Sequence, residues 1–206
     1  SFNAYNTIIV AIVFGVGARD GLGGAIAYRI GQAGYHVVLC GRTQKKMEDT
    51  KANIESNTNG KATVIAFHSI GASPDLGPAA TNGNLMETEV IDAFAKAQTL
   101  GTIDFVVQNL GPNMPPPDGP DMRKMSSGFM KYMWDINFLI SFLVGREAAR
   151  IMVRDDGQPC GTLLFTGATG SMRGSPPFVA YAQAKAGVRF LAQSMGREFG
   201  PKGLHV

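Results

Sequence analysis

Tyr181 and Lys185 stand four residues apart in Tyr181-Ala182-Gln183-Ala184-Lys185, inside a stretch that reads as a helix over 178–199. That spacing projects the phenol and the amine from one helix face. A free phenol, with a pKa of about 10, is a poor proton donor or base at neutrality, and a nearby ammonium favours its ionised form. So tuned, Tyr181 exchanges a proton with the oxygen of a carbonyl or an alcohol. The competing reading is a surface helix carrying a snorkelling lysine.

A second set of residues suits phosphate. Gly17, Gly21 and Gly23 spell G-x-x-x-G-x-G, with Arg19 and Leu22 inside the loop, between a strand-like run at 7–14 and a helix-like run at 21–33. Glycines there permit a tight turn and close backbone approach to a pyrophosphate, and the helix N-terminus offers unpaired N–H groups. The next strand ends Leu39-Cys40-Gly41-Arg42. An NAD site places a carboxylate near this point for the ribose 2′-hydroxyl, whereas a 2′-phosphate needs positive charge. With no carboxylate in that stretch, and with Arg42 and Arg19 at hand, NADP(H) is favoured and NAD(H) remains possible; Asp20 beside the loop weighs against the preference.

These groups need a frame. Strand-like runs at 7–14, 35–40, 62–67, 103–108 and 162–166, with a sixth beginning at 203–206, alternate with helical runs at 21–33, 43–57, 86–100, 122–153 and 178–199. The alternation predicts an α/β fold, a three-layer doubly wound parallel sheet of Rossmann type. Residues 1–206 read as one dinucleotide-binding domain that also carries the Tyr–Lys helix, and its sixth strand should continue beyond 206, so a longer chain is expected. Thr43 is the expected N-cap of its helix. Turn-rich 71–84 and Pro-rich 111–120 read as loops, the second at a substrate entrance.

Apolar residues make up 45% and charged residues 17%, and the net charge is +3, with Lys and Arg spread rather than clustered, so no nucleic-acid footprint is indicated. Cys40 and Cys160 make no disulfide framework, and they and the three histidines show no metal-ligand spacing. The run at 7–14 is too short to span a membrane. A cytoplasmic protein is the expectation; the opening Ser1 points to a trimmed start.

Taken in order, these motifs resemble the short-chain dehydrogenase/reductase family along nearly the whole chain. The glycine loop matches at Gly17, Gly21 and Gly23; Gln108-Asn109-Leu110-Gly111 stands where the family has N-N-A-G; Asn137, in Trp134-Asp135-Ile136-Asn137, stands at the helix Asn; Tyr181 and Lys185 are the Y-x-x-x-K pair. The resemblance implies hydride transfer between NADP(H) and an alcohol/carbonyl substrate, with Tyr181 as general acid/base. It implies that Lys185 bonds the nicotinamide ribose and that Asn137 holds a water in a proton relay. Asn109, Gly111 and Ser69, the last where the family has an Asp that meets adenine, join the cofactor site. A homotetramer or homodimer is implied as well.

The sequence also departs from the family. Its usual Ser, thirteen residues before the Tyr, is Ala168, and the Thr before the first loop glycine is Val16. Thr169 is the nearest replacement hydroxyl, ahead of Thr166 and Ser171. The altered position keeps a second reading open, a dinucleotide-binding sensor or partner protein with little or no catalysis. An epimerase or dehydratase using the same pair fits less well.

Overall fold

β-branched and aromatic residues dominate the runs that become strands, and they fill both faces of a sheet. The computed structural model describes residues 8–69 and 83–206, apart from 118, 155 and 177. Its strands are β1 (Ile9–Phe14), β2 (His36–Gly41), β3 (Lys61–Ala66), β4 (Thr102–Gln108), β5 (Gly161–Phe165) and β6 (Leu204–His205). They pair in the order β3-β2-β1-β4-β5-β6, every neighbouring pair parallel. The helices are α1 (Leu22–Gln32), α2 (Gln44–Asn57), α3 (Gly83–Gln98), α4 (Ser127–Trp134), α5 (Ile140–Met152) and α6 (Val179–Phe199). This is the doubly wound Rossmann-type sheet expected from the alternation.

Side chains alternate across the pleat and seed two cores. Val10, Ile12 and Phe14 of β1 point to the layer of α3, α5 and α6, where they join Phe94, Ile140 and Met195. Val13 points the other way, to Ala27 of α1 and Met47 and Ile54 of α2. Each such buried side chain contributes about 1.5–3 kcal/mol through removal from water. On the α1 side of β4 and β5 the sheet is only partly covered. Ile26, Phe105, Val107 and Leu164 line an apolar recess of about 480 Å³ there.

The chain runs outward from β1 to β3, then returns to β4 on the far side of β1. Strand order therefore reverses between β1 and β4, and a crevice opens at their carboxyl ends. Phe14 and Gln108, the last residues of the two strands, sit in register at that edge.

Three expectations about elements meet the structure differently. The long, largely helical stretch expected over 122–153 is helical in segments: a 3₁₀ turn at Met122–Lys124, α4, a π-helical turn at Asp135–Leu139, and α5. The start of α4 is set by Ser126, whose hydroxyl accepts from the Phe129 N–H at 3.1 Å. Thr43 occupies the N-cap position of α2, yet its side chain makes no cap bond. The loop over 71–84 lies outside the described residues through 82, while Gly83 and Asn84 open α3.

Candidate active site

The glycine loop presses the first turn of α1 onto the end of β1. A Cβ on Gly23 would lie 2.3 Å from the Gly15 carbonyl oxygen, so only glycine fits there. The Asn109 amide donates to the same carbonyl at 3.2 Å. It accepts, through its Oδ1, from the Thr166 hydroxyl at 2.9 Å. The ends of β1, β4 and β5 are thus tied together beneath the crevice. Beside this tie a cleft of about 240 Å³ is lined by Gly17, Arg42, Thr43, Lys46, Asn109 and Gly111, among others. Among the described residues, no Asp or Glu lines it. Gly21 and Leu22 stand at the start of α1. Arg19 does not line the cleft, and Ser69 lies outside its wall, its buried hydroxyl without a partner among the described residues and its N–H donating to Glu89 at 3.0 Å. Burial pushes the Tyr132 phenol of α4 up, and the charge of Arg42 pulls it the other way.

Lys185 is 3% exposed. Its ammonium donates to the Thr166 carbonyl at 3.1 Å and lies 6.0 Å from the centre of the Tyr181 ring. Asn137 comes from the π-helical turn, a widened backbone common at functional positions. Its Nδ2 donates to the Met133 carbonyl at 3.0 Å, and its own carbonyl accepts from the Ser141 hydroxyl at 2.6 Å. Its Oδ1 is buried with no partner. Both that oxygen and Lys185 Nζ lie 2.6 Å from where a Cβ on Gly111 would stand. An orphaned acceptor beside an ammonium is the setting in which a bridging water completes both groups.

Burial raises the Tyr181 phenol above its ordinary value of 10 and lowers the Lys185 ammonium below 10.5. The ammonium is expected from the sequence to lower the phenol; in the chain alone, burial raises it instead. Both groups lose hydration, and at this separation that loss decides the direction.

A second recess, of about 290 Å³, opens at Tyr181 between Asn113, Ala168, Thr169, Arg173 and Phe178. Ala168 faces it with no hydroxyl, and the exposed Thr169 stands next to it. The Ser171 hydroxyl is engaged locally, accepting from the Ala168 N–H at 3.1 Å. The sequence reading missed Lys46 and Arg173 as lining residues, and the clamp in which Gln108 accepts from the Leu110 N–H and donates to Ser141. Lys46 was findable, one turn into α2 and four residues after Arg42.

Comparison with known proteins agrees with this geometry. The sequence profile of a family described as short chain dehydrogenase matches residues 10–206. A short-chain dehydrogenase/reductase of Armillaria gallica is 30% identical over 204 residues, covering 96% of this chain and 67% of that protein. A 3-dehydrosphinganine reductase of Arabidopsis thaliana is 25% identical over 195 residues, covering 94% of this chain and 52% of that protein, so this chain spans about half that relative's length. The crystal structure of a short-chain dehydrogenase from Rhodopseudomonas palustris superposes with a TM-score of 0.76 at 30% identity, covering 97% of this chain and 82% of that one. No helix among the described residues is long and apolar enough to cross a membrane.

Proposed function

The chain belongs to the short-chain dehydrogenase family, and from that premise we propose that it is an oxidoreductase that moves a hydride between NADP(H) and a small alcohol or carbonyl substrate. The observation that carries this reading is the buried Lys185 ammonium, held by the Thr166 carbonyl beside Tyr181. The cofactor, when bound, supplies the hydride. Gly17, Gly21, Leu22 and Gly23 with the α1 terminus receive its pyrophosphate; Arg42 and Arg19 receive the 2′-phosphate, Lys46 adding charge in the cleft; Asn109 and Gly111 complete the wall, and Ser69, beyond the wall, meets the adenine end. The absence of Asp and Glu among the described residues that line the cleft beside Arg42 supports NADP(H) over NAD(H).

In the reduction direction Tyr181 gives its proton to the carbonyl oxygen as the carbon is reduced. Lys185 bonds the nicotinamide ribose and supports the phenolate left behind. Asn137, through its unpartnered oxygen, holds the water that returns a proton. Thr169 takes the place of the missing serine against the substrate oxygen.

Fluorescence titration with NADPH and NADH, with Arg42→Ala beside the parent chain, tests the cofactor choice. A charge-assisted contact of roughly 1.5–3 kcal/mol predicts NADPH binding weakened about tenfold or more in the variant, with NADH affinity nearly unchanged. Equal weakening of both overturns the preference. Ala168, with no hydroxyl at its position, favours a second reading as a binding protein. NADPH bound but never consumed across a panel of carbonyl compounds supports that reading.

The proposal includes a homodimer or homotetramer joined through α5 and α6, where Phe142 and Phe190 are exposed apolar side chains that such a union would cover. Light scattering of a monomer at micromolar concentration contradicts it. It also includes a cytoplasmic location, supported by two buried unpaired thiols.

A further inference from the structure

The recess beside Tyr181 has a charge character of its own. Arg173 lines it together with Asn113, Ser175 and Phe178, and among the described residues no Asp or Glu does. The Arg173 side chain forms no ion pair with a carboxylate among the described residues. Behind Tyr181, Lys185 donates only to a carbonyl. Two cations therefore flank the recess with no described carboxylate to balance either. A cleft lined by one sign of charge, with low-dielectric walls, raises the local concentration of the opposite sign. Ala168, Phe178 and Ala182 supply those walls. A guanidinium also meets a carboxylate as a two-pronged fork, which orients the molecule it holds.

We propose that Arg173 is an anion subsite, and that the substrates are small oxo acids and their hydroxy acids, held by the carboxylate at Arg173 with the carbonyl or hydroxyl oxygen turned to Tyr181. This rests on the reading of Tyr181 as the proton donor. It goes further in naming the substrate class and the residue that selects it. A recess of about 290 Å³ suits a skeleton of a few carbons. Arg173 acts in binding, so its loss raises KM for acids more than for neutral ketones.

Calorimetric titration of the full chain with acetoacetate and with its methyl ester tests this. The two probes share a carbonyl and differ in charge. The acid is expected to bind about tenfold or more tightly than the ester, and added sodium chloride should weaken the acid alone. In Arg173→Gln the two affinities should converge, with NADPH affinity unchanged, and Arg173→Lys should restore part of the difference. Equal affinities in the parent chain, no binding of the acid, or a preference that survives Arg173→Gln overturns the proposal. Should Arg173→Gln fold poorly, the salt series on the parent chain decides alone: acid binding indifferent to salt overturns it. A chain that binds no dinucleotide in a separate titration refutes the oxidoreductase reading, and the acid-over-ester comparison still reports on Arg173.

Discussion

Tyr181→Phe is expected to keep dinucleotide binding and to lose about a hundred- to ten-thousandfold of carbonyl reduction, the usual worth of a positioned proton donor. The ring stays, so the walls of the recess and the contact with Lys185 stay. Only the hydroxyl goes. Reduced-cofactor absorbance measures turnover, and fluorescence titration measures binding. Burial raises the phenol above 10, so it is protonated throughout the neutral range. Reduction consumes that proton. Its rate should therefore be flat across neutrality and fall as pH rises through the raised phenol value. Alcohol oxidation needs the phenolate and should climb over the same interval. Burial also lowers the Lys185 ammonium, so its charge is lost earlier than an exposed lysine's as pH rises, which sharpens the decline. The phenylalanine variant should lack the phenol-dependent limb in both directions. Turnover that survives the substitution with its pH profile unchanged removes Tyr181 from the chemistry.

Gly111→Ala should be nearly as damaging, although residue 111 offers no side chain to any reaction. The added methyl would stand 2.6 Å from both Asn137 Oδ1 and Lys185 Nζ. Carbon cannot remain that close to either, so one or both must move. Asn137 is held by its bond to Met133, and Lys185 by its bond to Thr166. Displacement of about 1 Å in such a constellation costs on the order of a hundredfold in rate. Gly200, with nothing within 4 Å of its would-be Cβ, is the control. Gly200→Ala should leave turnover unchanged. Thermal melts and NADPH titration on both variants separate misplacement from unfolding. A fully active Gly111→Ala enzyme means that Lys185 and Asn137 are not held where turnover needs them.

Much of this frame was legible in the residues. The apolar run ending at Phe14 marked a central parallel strand, because a strand covered on both faces must be apolar throughout, and the strand–helix alternation gave the rest of the sheet. The glycine pattern marked the close approach at Gly23, and the four-residue spacing put Tyr181 and Lys185 on one face of α6. The π-helical turn that carries Asn137 was not legible. A shift from i→i+4 to i→i+5 bonding leaves no mark on composition, and Trp134-Asp135-Ile136-Asn137 reads as ordinary helix. The direction of the Tyr181 shift was misjudged because it depends on burial, which spacing does not report. Arg173 was invisible as a site residue because the irregular chain just after the 3₁₀ turn at Thr169–Ser171, not the periodicity of a long helix, brings it to the recess.

The most direct test of the central claim is a crystal structure of the chain with NADP⁺ bound. The account predicts the nicotinamide ribose on Lys185, the Tyr181 hydroxyl directed at the ring's reacting face, and the 2′-phosphate against Arg42. A dinucleotide that binds elsewhere, or a phenol turned away from the ring, would contradict it.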